Sequence, residues 1–194
     1  MTRRNGLVDR PFTLADASSE GISARTVQRQ AESGDLERLA RGLYAHTASA
    51  AYDVDLLAAR LRAPQATICL TSALAHHGLV DEIPARTDLA LPRGEWRPTG
   101  QASVRWHLFD ARTFAVGRTT TPITGSRRRI GVYSAERSIV DAFRLRSQVG
   151  HEIAVEALRE WLRRRGSSPA ALLTIAQQLP RAEAPLRQAL SYLA

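Results

Sequence analysis

The stretch that decides the fold lies near the amino terminus and reads GISARTVQRQ over residues 21–30. Ser23 is a residue type that commonly caps helices, and a helical pattern follows it from Ala24 to Ser33. At about 100° per residue, small and apolar side chains recur on one side of this helix. These are Ala24, Val27 and Ala31. The spacing predicts an amphipathic helix whose opposite side faces outward.

The segments on either side of this helix complete a recognisable order. Upstream, residues 12–20 read as a short helix capped by Thr13, and Gly21 breaks it. Downstream, Gly34 ends the central helix, and residues 36–44 (LERLARGLY) alternate as a hairpin that turns near Arg41-Gly42. Helix, turn, helix and hairpin in this order predict a short winged helix-turn-helix.

The outward side of the central helix carries the first candidates for DNA contact. It presents guanidinium and hydroxyl groups, which suit base edges and phosphates. The predicted contacts there are Ser23, Arg25, Thr26 and Arg29. Arg38 and Arg41 of the hairpin are predicted to meet backbone phosphates. A solvated charged face is the alternative for all of them, and the hairpin at the right distance favours DNA.

A second, larger domain is expected after a small-residue linker at residues 48–51. A helical pattern follows over residues 53–62, and then short strands alternate with helices before a helical end. Strands are predicted at residues 66–70, 87–91, 104–109 and 129–133, and helices at 72–77, 135–146, 151–165, from 169, and at 184–193. The predicted fold class is α+β, with a winged helix-turn-helix DNA-binding domain at 1–48 and a mixed α/β domain with a helical carboxyl-terminal part at 49–194.

The charge points to nucleic acid but not to the first domain alone. The net charge is +8, and all 27 basic residues are arginine, a residue that binds phosphate and guanine bidentately. A GC-rich genome would also replace lysine with arginine, so the excess positive charge is the informative quantity. Residues 1–48 carry seven arginines against six acidic residues, a net charge of only +1. Additional electrostatic affinity must therefore come from elsewhere.

Two arginine runs of the second domain could supply that affinity. The run Arg127, Arg128 and Arg129 follows Gly125, and phosphate binding is favoured there. The run at residues 163–165 ends a predicted helix, where cations favour the helix dipole in any case. For this second run, solvated capping is as good an interpretation as phosphate contact.

Other classes of function find little support in the sequence. Cys69 is the one cysteine, so an intrachain disulfide is impossible, and its apolar surroundings predict burial. No signal peptide and no apolar stretch of about 20 residues is visible, which predicts a cytoplasmic protein with no membrane contact. His76 and His77 point about 100° apart on a helix without further ligands, so no metal is expected. No catalytic motif is found, and neither an enzyme nor a cofactor is expected.

Four blocks together carry a resemblance to a known family. They are residues 21–30, 36–45 (LERLARGLYA), 70–79 (LTSALAHHGL) and 130–143 (IGVYSAERSIVDAF). In this order they resemble the AbiEi family of antitoxins, from abortive-infection toxin-antitoxin pairs. The resemblance implies that the first domain represses the operon's own promoter at inverted repeats of double-stranded DNA. It also implies that the second domain neutralises a co-encoded nucleotidyltransferase-like toxin and helps DNA binding through a positive surface.

One departure from the family keeps two alternatives open. Family members usually carry a full helix before the position of Phe12, and here about eleven residues precede it, including Gly6 and Pro11. One alternative is a stand-alone transcriptional repressor without a toxin partner. The other is a protein-interaction module with a degenerate helix-turn-helix. Two-fold operators would predict a dimer on DNA, and masking, toxin modification and target competition all remain possible routes of neutralisation.

Overall fold

The computed structural model describes residues 10–46 and 52–193, so the predicted linker at 48–51 and the segment before Arg10 lie outside the described residues. The chain divides into two compact units. Unit 1 comprises Met1–Arg62 with Pro122–Arg129, and unit 2 comprises Ala63–Thr121 with Ile130–Ala194. This division differs from the predicted boundary at residue 48, because a third helix and a distant loop are grouped with the amino-terminal elements.

Unit 1 begins with the predicted helix-turn-helix and hairpin. Its elements are β1 (Phe12–Thr13), α1 (Leu14–Ser19), α2 (Ala24–Glu32), β2 (Leu36–Ala40), β3 (Leu43–His46) and α3 (Val54–Arg62). The first helix starts at Leu14 and not at Phe12, because Phe12 and Thr13 pair with Tyr44 and Leu43 of β3. The hairpin strands β2 and β3 pair antiparallel, and the sheet has the order β1-β3-β2.

The helix pair and the sheet share a small apolar core. Phe12, Ala17, Val27 and Leu36 are buried together, and Ile22, Ala31 and Tyr44 pack against them. Ala24 is exposed although the spacing predicted it for the same side of α2, because it is the first residue of the helix. Val27 and Ala31 thus hold α2 against the core.

Two hydrogen bonds to backbone carbonyls attach the loop 122–129 to the rest of unit 1. The amide of Asp53, just before α3, donates to the Thr124 carbonyl at 3.2 Å. The Arg60 side chain of α3 donates from Nε to the Arg129 carbonyl at 3.0 Å. Helix α3 also contacts β2. No local signal in the sequence predicts these contacts, because Arg60 and Arg129 are 69 positions apart in the chain.

Unit 2 is built on a mixed five-stranded sheet. Its elements are β4 (Thr67–Ile68), α4 (Leu70–His76), β5 (Thr87–Pro92), β6 (Val104–Phe109), β7 (Arg118–Pro122) and β8 (Arg129–Tyr133). The last residue of β7 and the first residue of β8 are grouped with unit 1. The order is β6-β5-β4-β8-β7. Strands β5 and β6 are parallel, as are β4 and β8, whereas β4 and β5 are antiparallel. Strand β7 was not predicted, because its sequence RTTTP lies at a sheet edge and lacks apolar alternation.

Helices complete unit 2 and enclose its core. They are α5 (Ala135–Arg144), α6 (Arg146–Val149), α7 (His151–Leu162), α8 (Pro169–Gln177) and α9 (Glu183–Leu193). Helix α5 lies centrally and contacts α4, α7, α8 and α9. The predicted α+β class and the helical carboxyl-terminal part are confirmed. Among the described residues, no helix combines the length and apolar character needed to cross a bilayer.

Candidate nucleic-acid interface

The start of α2 is organised by two of the predicted contact residues. The Ser23 hydroxyl oxygen accepts a hydrogen bond from the Thr26 amide at 3.1 Å. The two hydroxyl oxygens of Ser23 and Thr26 lie 2.9 Å apart. The Ser23 hydroxyl therefore caps the helix and satisfies an amide that would otherwise be unpaired at its amino terminus, and the Thr26 hydroxyl is hydrogen-bonded to this cap. Ser23 is exposed and Thr26 is half-buried.

The outer side of α2 is a continuous polar stripe. Arg25 and Arg29, one helical turn apart, are both exposed, and Gln28 and Glu32 lie on the same face. These four side chains line a shallow cavity of about 460 Å³ with Ser23 and Thr26. Sequence reasoning missed Gln28, although its position three residues after Arg25 places it on that face. The side-chain amide of Gln28 donates from Nε2 to the Glu32 carboxylate at 3.2 Å.

The hairpin presents the next two predicted contacts. Arg38 lies on β2 opposite Tyr44, and its side chain is exposed. Arg41 is exposed in the turn before Gly42, whose φ of +77° is a backbone conformation that glycine adopts without strain. The turn thus falls where the Arg41-Gly42 pair predicted it, with both arginines at the surface of unit 1.

The three arginines of the run 127–129 belong to unit 1, and they differ in their surroundings. The Arg128 guanidinium holds the Asp16 carboxylate, with Nη2 at 2.8 and 3.0 Å from the two oxygens. Arg127 is exposed and lines a cavity of about 280 Å³ with Arg10 and Asp16. Arg129 is also exposed, and its carbonyl accepts from Arg60. The structure thus brings all nine predicted site residues into one unit.

Asp16 connects this run to the helix pair. Burial opposes ionisation of its carboxylate, but hydrogen bonds from Thr13 and the Arg128 guanidinium outweigh it and hold the pKa of Asp16 below its ordinary value. The carboxylate accepts from the Thr13 amide at 2.8 Å, and the Asp16 amide donates to the Thr13 hydroxyl at 3.2 Å. This reciprocal pair is a capping box that starts α1.

The loop 122–129 changes the electrostatics of unit 1. Residues 1–62 and 122–129 together carry twelve arginines against eight acidic residues, a net charge of +4. Three of those arginines and none of the acidic residues come from 122–129. Residues 1–48 alone carry a net charge of only +1, so additional positive charge was expected from elsewhere. That charge is present in the same unit as α2.

The histidine pair, Cys69 and the arginine run 163–165 are the other residues that the sequence singled out. The rings of His76 and His77 lie edge to face at 5.2 Å, and His77 Nε2 is 2.7 Å from the Tyr133 carbonyl. Within the described ranges, no group of three or more His, Cys, Asp or Glu side chains could hold a metal ion. Cys69 is fully buried, and burial raises the pKa of its thiol. Arg163 and Arg164 both lie within 4.0 Å of Glu160.

Comparisons with known proteins agree with the sequence interpretation for the amino-terminal segment. Residues 8–46 match the model of the family described as "Transcriptional regulator, AbiEi antitoxin", which confirms the resemblance over α1, α2 and the hairpin. No curated protein gives a significant sequence match. A crystal structure of the RV2827C protein from Mycobacterium tuberculosis is similar, with a TM-score of 0.54 and 17% identity over 95% of this chain and 77% of that chain. That likeness concerns the fold alone.

Proposed function

We propose that this protein is an antitoxin that represses its own operon by binding promoter DNA and neutralises a co-encoded nucleotidyltransferase-like toxin. The observation that carries the proposal is the match of residues 8–46 to AbiEi antitoxin regulators. That match coincides with a capped helix and a hairpin whose exposed side chains include Arg25, Arg29, Arg38 and Arg41.

In this proposal, α2 enters the major groove of double-stranded DNA. Arg25 and Arg29 reach base edges or phosphates from one face of the helix, where a guanidinium can pair bidentately with guanine. Ser23 and Thr26 shape the helix start, whose exposed amide groups favour an adjacent phosphate. Arg38 and Arg41 contact phosphates from the hairpin, and Arg127 and Arg129 add positive charge. Arg128 acts through Asp16 by holding the loop to α1.

The rest of the proposal concerns the partners. Inverted repeats in the operon's own promoter would be bound by two copies of the chain related by two-fold symmetry. Unit 2 would supply neutralisation of the nucleotidyltransferase-like toxin, because the family resemblance links the larger domain to that role.

The DNA-binding half is tested by titrating the full chain onto its upstream promoter DNA across a salt series. Arg25→Ala/Arg29→Ala is expected to weaken binding by about tenfold or more and to reduce the salt dependence. The matched control is Arg97→Ala/Arg112→Ala, which removes the same charge from exposed positions of unit 2. Equal binding by the wild type and the α2 variant, or equal loss in the control, would refute the recognition helix.

The neutralisation half needs a separate measurement. A neighbouring nucleotidyltransferase-like gene is expected to arrest growth when expressed alone, and co-expression of this chain from an unrelated promoter is expected to restore growth. The Arg25→Ala/Arg29→Ala variant should still restore growth, because the promoter contact is not needed there. If the wild-type chain binds its promoter but fails to restore growth, the stand-alone repressor becomes the better description.

A further inference from the structure

A cavity of about 690 Å³ in unit 2 lies at the carboxyl ends of the parallel strands β5 and β6. Arg93 directly follows β5, and its amide donates to the carbonyl of Phe109, the last residue of β6, at 2.7 Å. Ligands of open sheets preferentially bind outside the carboxyl ends of parallel strands. The volume falls within the range of small-molecule sites. Position and size together therefore suit a small ligand.

The charge of the lining selects an anion. Three arginines line the cavity, namely Arg93, Arg144 and Arg181, together with one acidic residue, Asp110. Asp110 is engaged by its neighbour Arg112, whose amide donates to the carboxylate at 2.9 Å. Its pKa is lowered, first by that hydrogen bond. The charge of Arg93 adds a smaller contribution to the same lowering, so the one acidic residue offsets the three arginines only in part.

The arginines differ in how far they are already paired. Arg144 donates from Nη2 to the Asp141 carboxylate at 2.7 Å and is largely buried. Arg93 and Arg181 form no salt bridge or side-chain hydrogen bond with any residue for which the structure gives a position. Both are exposed. Two guanidinium groups are therefore available to an anionic ligand, whereas the third is already paired with Asp141.

Aromatic side chains form the adjoining wall. Trp106 lies half-buried on β6, the edge strand of the sheet, and Phe109 is buried at its end. The ring of His107 is held by Asp88, with Nε2 at 2.8 Å from the carboxylate. Planar aromatic rings stack readily on the π-face of any nucleobase. Because the Phe109 ring is stacked on Tyr133, Trp106 supplies the ring of this wall on which a base that carries a phosphate would stack.

The backbone at Arg181 gives a further indication. Its φ is +60°, although it is not a glycine. A non-glycine residue in this conformation costs free energy, and such positions concentrate at ligand-binding sites. Arg181 lies between α8 and α9, and this conformation accompanies its position in the cavity wall.

We infer that this cavity binds a nucleotide, with the base against Trp106 and the phosphates on Arg93 and Arg181. The inference goes beyond the proposed function, because it uses unit 2 alone and no residue of the DNA-binding helix. A base that carries a phosphate is found both in a free mononucleotide and at the phosphorylated end of a nucleic-acid single strand.

Isothermal titration calorimetry of the full chain with ATP tests the inference. ATP is expected to bind saturably and at least about tenfold more tightly than adenosine or inorganic triphosphate, because both halves of the site contribute. Arg93→Ala/Arg181→Ala should weaken ATP binding by about tenfold or more. The matched control is Arg25→Ala/Arg29→Ala, which removes the same charge from unit 1 and should leave ATP binding unchanged.

Two further arms make the result decisive. A 5′-phosphorylated single-stranded oligonucleotide that competes with ATP in the wild type, but does not bind the Arg93→Ala/Arg181→Ala variant, would identify a strand end as the source. Trp106→Phe keeps a ring and should retain binding, whereas Trp106→Ala should weaken it. The inference is overturned if ATP does not bind saturably at millimolar concentration, or if the α2 variant loses ATP binding as much as the cavity variant. The Arg93→Ala/Arg181→Ala variant should still bind promoter DNA. A failure of nucleotide binding is thereby distinguished from a failure of the proposed DNA-binding function.

Discussion

At the scale of single residues, Asp16 combines a local and a long-range contact in one carboxylate. It completes the capping box with Thr13 and also receives the Arg128 guanidinium. The contact with Thr13 is local, since the two residues are three positions apart in the chain. The contact with Arg128 spans 112 residues. One carboxylate thus joins the start of α1 to the loop 122–129.

Asp16→Asn is expected to destabilise unit 1 by about 1 kcal/mol at neutral pH, since both a helix cap and a partly exposed ion pair are weakened. The pKa of Asp16 in the folded protein lies below its ordinary value of 3.8. Its stabilising contribution is therefore present above the unfolded-state pKa and is lost as the pH falls through the folded-state pKa. Chemical denaturation at pH 7 and below pH ~4 should show the difference between variant and wild type shrinking on acidification.

Arg128→Ala is the matched second variant for that measurement. Because Arg128 acts on the same carboxylate, the double variant should lose less stability than the two single variants predict together. Strict additivity would show that the Arg128 contact contributes nothing to the stability of unit 1.

At the scale of the element, the cap fixes the residue at which α2 begins, and Val27 packs the helix against its core. The Ser23 hydroxyl accepts the Thr26 amide, and Val27 is fully buried in the core of unit 1. Gly21 and Gly34 flank the helix with positive φ, at +79° and +84°. The helix ends are thus specified by residues that were legible in the sequence.

Ser23→Ala is expected to lower the free energy of unfolding by about 1 kcal/mol, because the Thr26 amide loses its acceptor. Ser23→Asn keeps a capping oxygen and should remain close to the wild type. Neither change removes a charge, so the slope of DNA affinity against salt should stay the same in both variants. Urea denaturation and a salt series on promoter DNA check the two parts. A changed salt slope in Ser23→Ala would contradict a role limited to the helix start.

At the scale of the whole molecule, the distribution of arginine matters more than its total. Unit 1 carries half of the net charge of +8, and the segment 122–129 contributes three of its arginines. Arg127 and Arg128 are neighbours in the chain. Within the described residues, only Arg128 of these two forms a salt bridge with an acidic side chain. Neighbouring arginines can therefore serve different purposes.

Arg127→Ala and Arg128→Ala should separate these purposes. Arg127→Ala is expected to weaken promoter binding and to reduce the salt slope by about 1, with little change in stability, as for the loss of one phosphate contact. Arg128→Ala should instead lower stability and leave most of the salt slope intact, because its charge is paired with Asp16. Promoter titrations at several salt concentrations, together with denaturation, measure both. The reverse pattern would place Arg128 on the DNA.

The sequence by itself determined the elements whose signals are local. The caps at Thr13 and Ser23, the turn at Gly42 and the strand β6 follow from residue types a few positions apart, and the structure confirms them. The α+β class and the amino-terminal family resemblance belong to the same group. Their physical basis is backbone conformation and side-chain periodicity, which act over less than about three helical turns.

Only the tertiary structure decided the contacts between distant segments. It added β1 and β7, whose short or polar sequences carry no periodicity, and it joined Arg128 to Asp16. It also buried Arg137 completely in α5, with Asp141 at 2.8 Å and the Tyr133 ring beneath the guanidinium. An arginine becomes a core residue only when partners from several segments satisfy its charge, and no local pattern records where those partners will be.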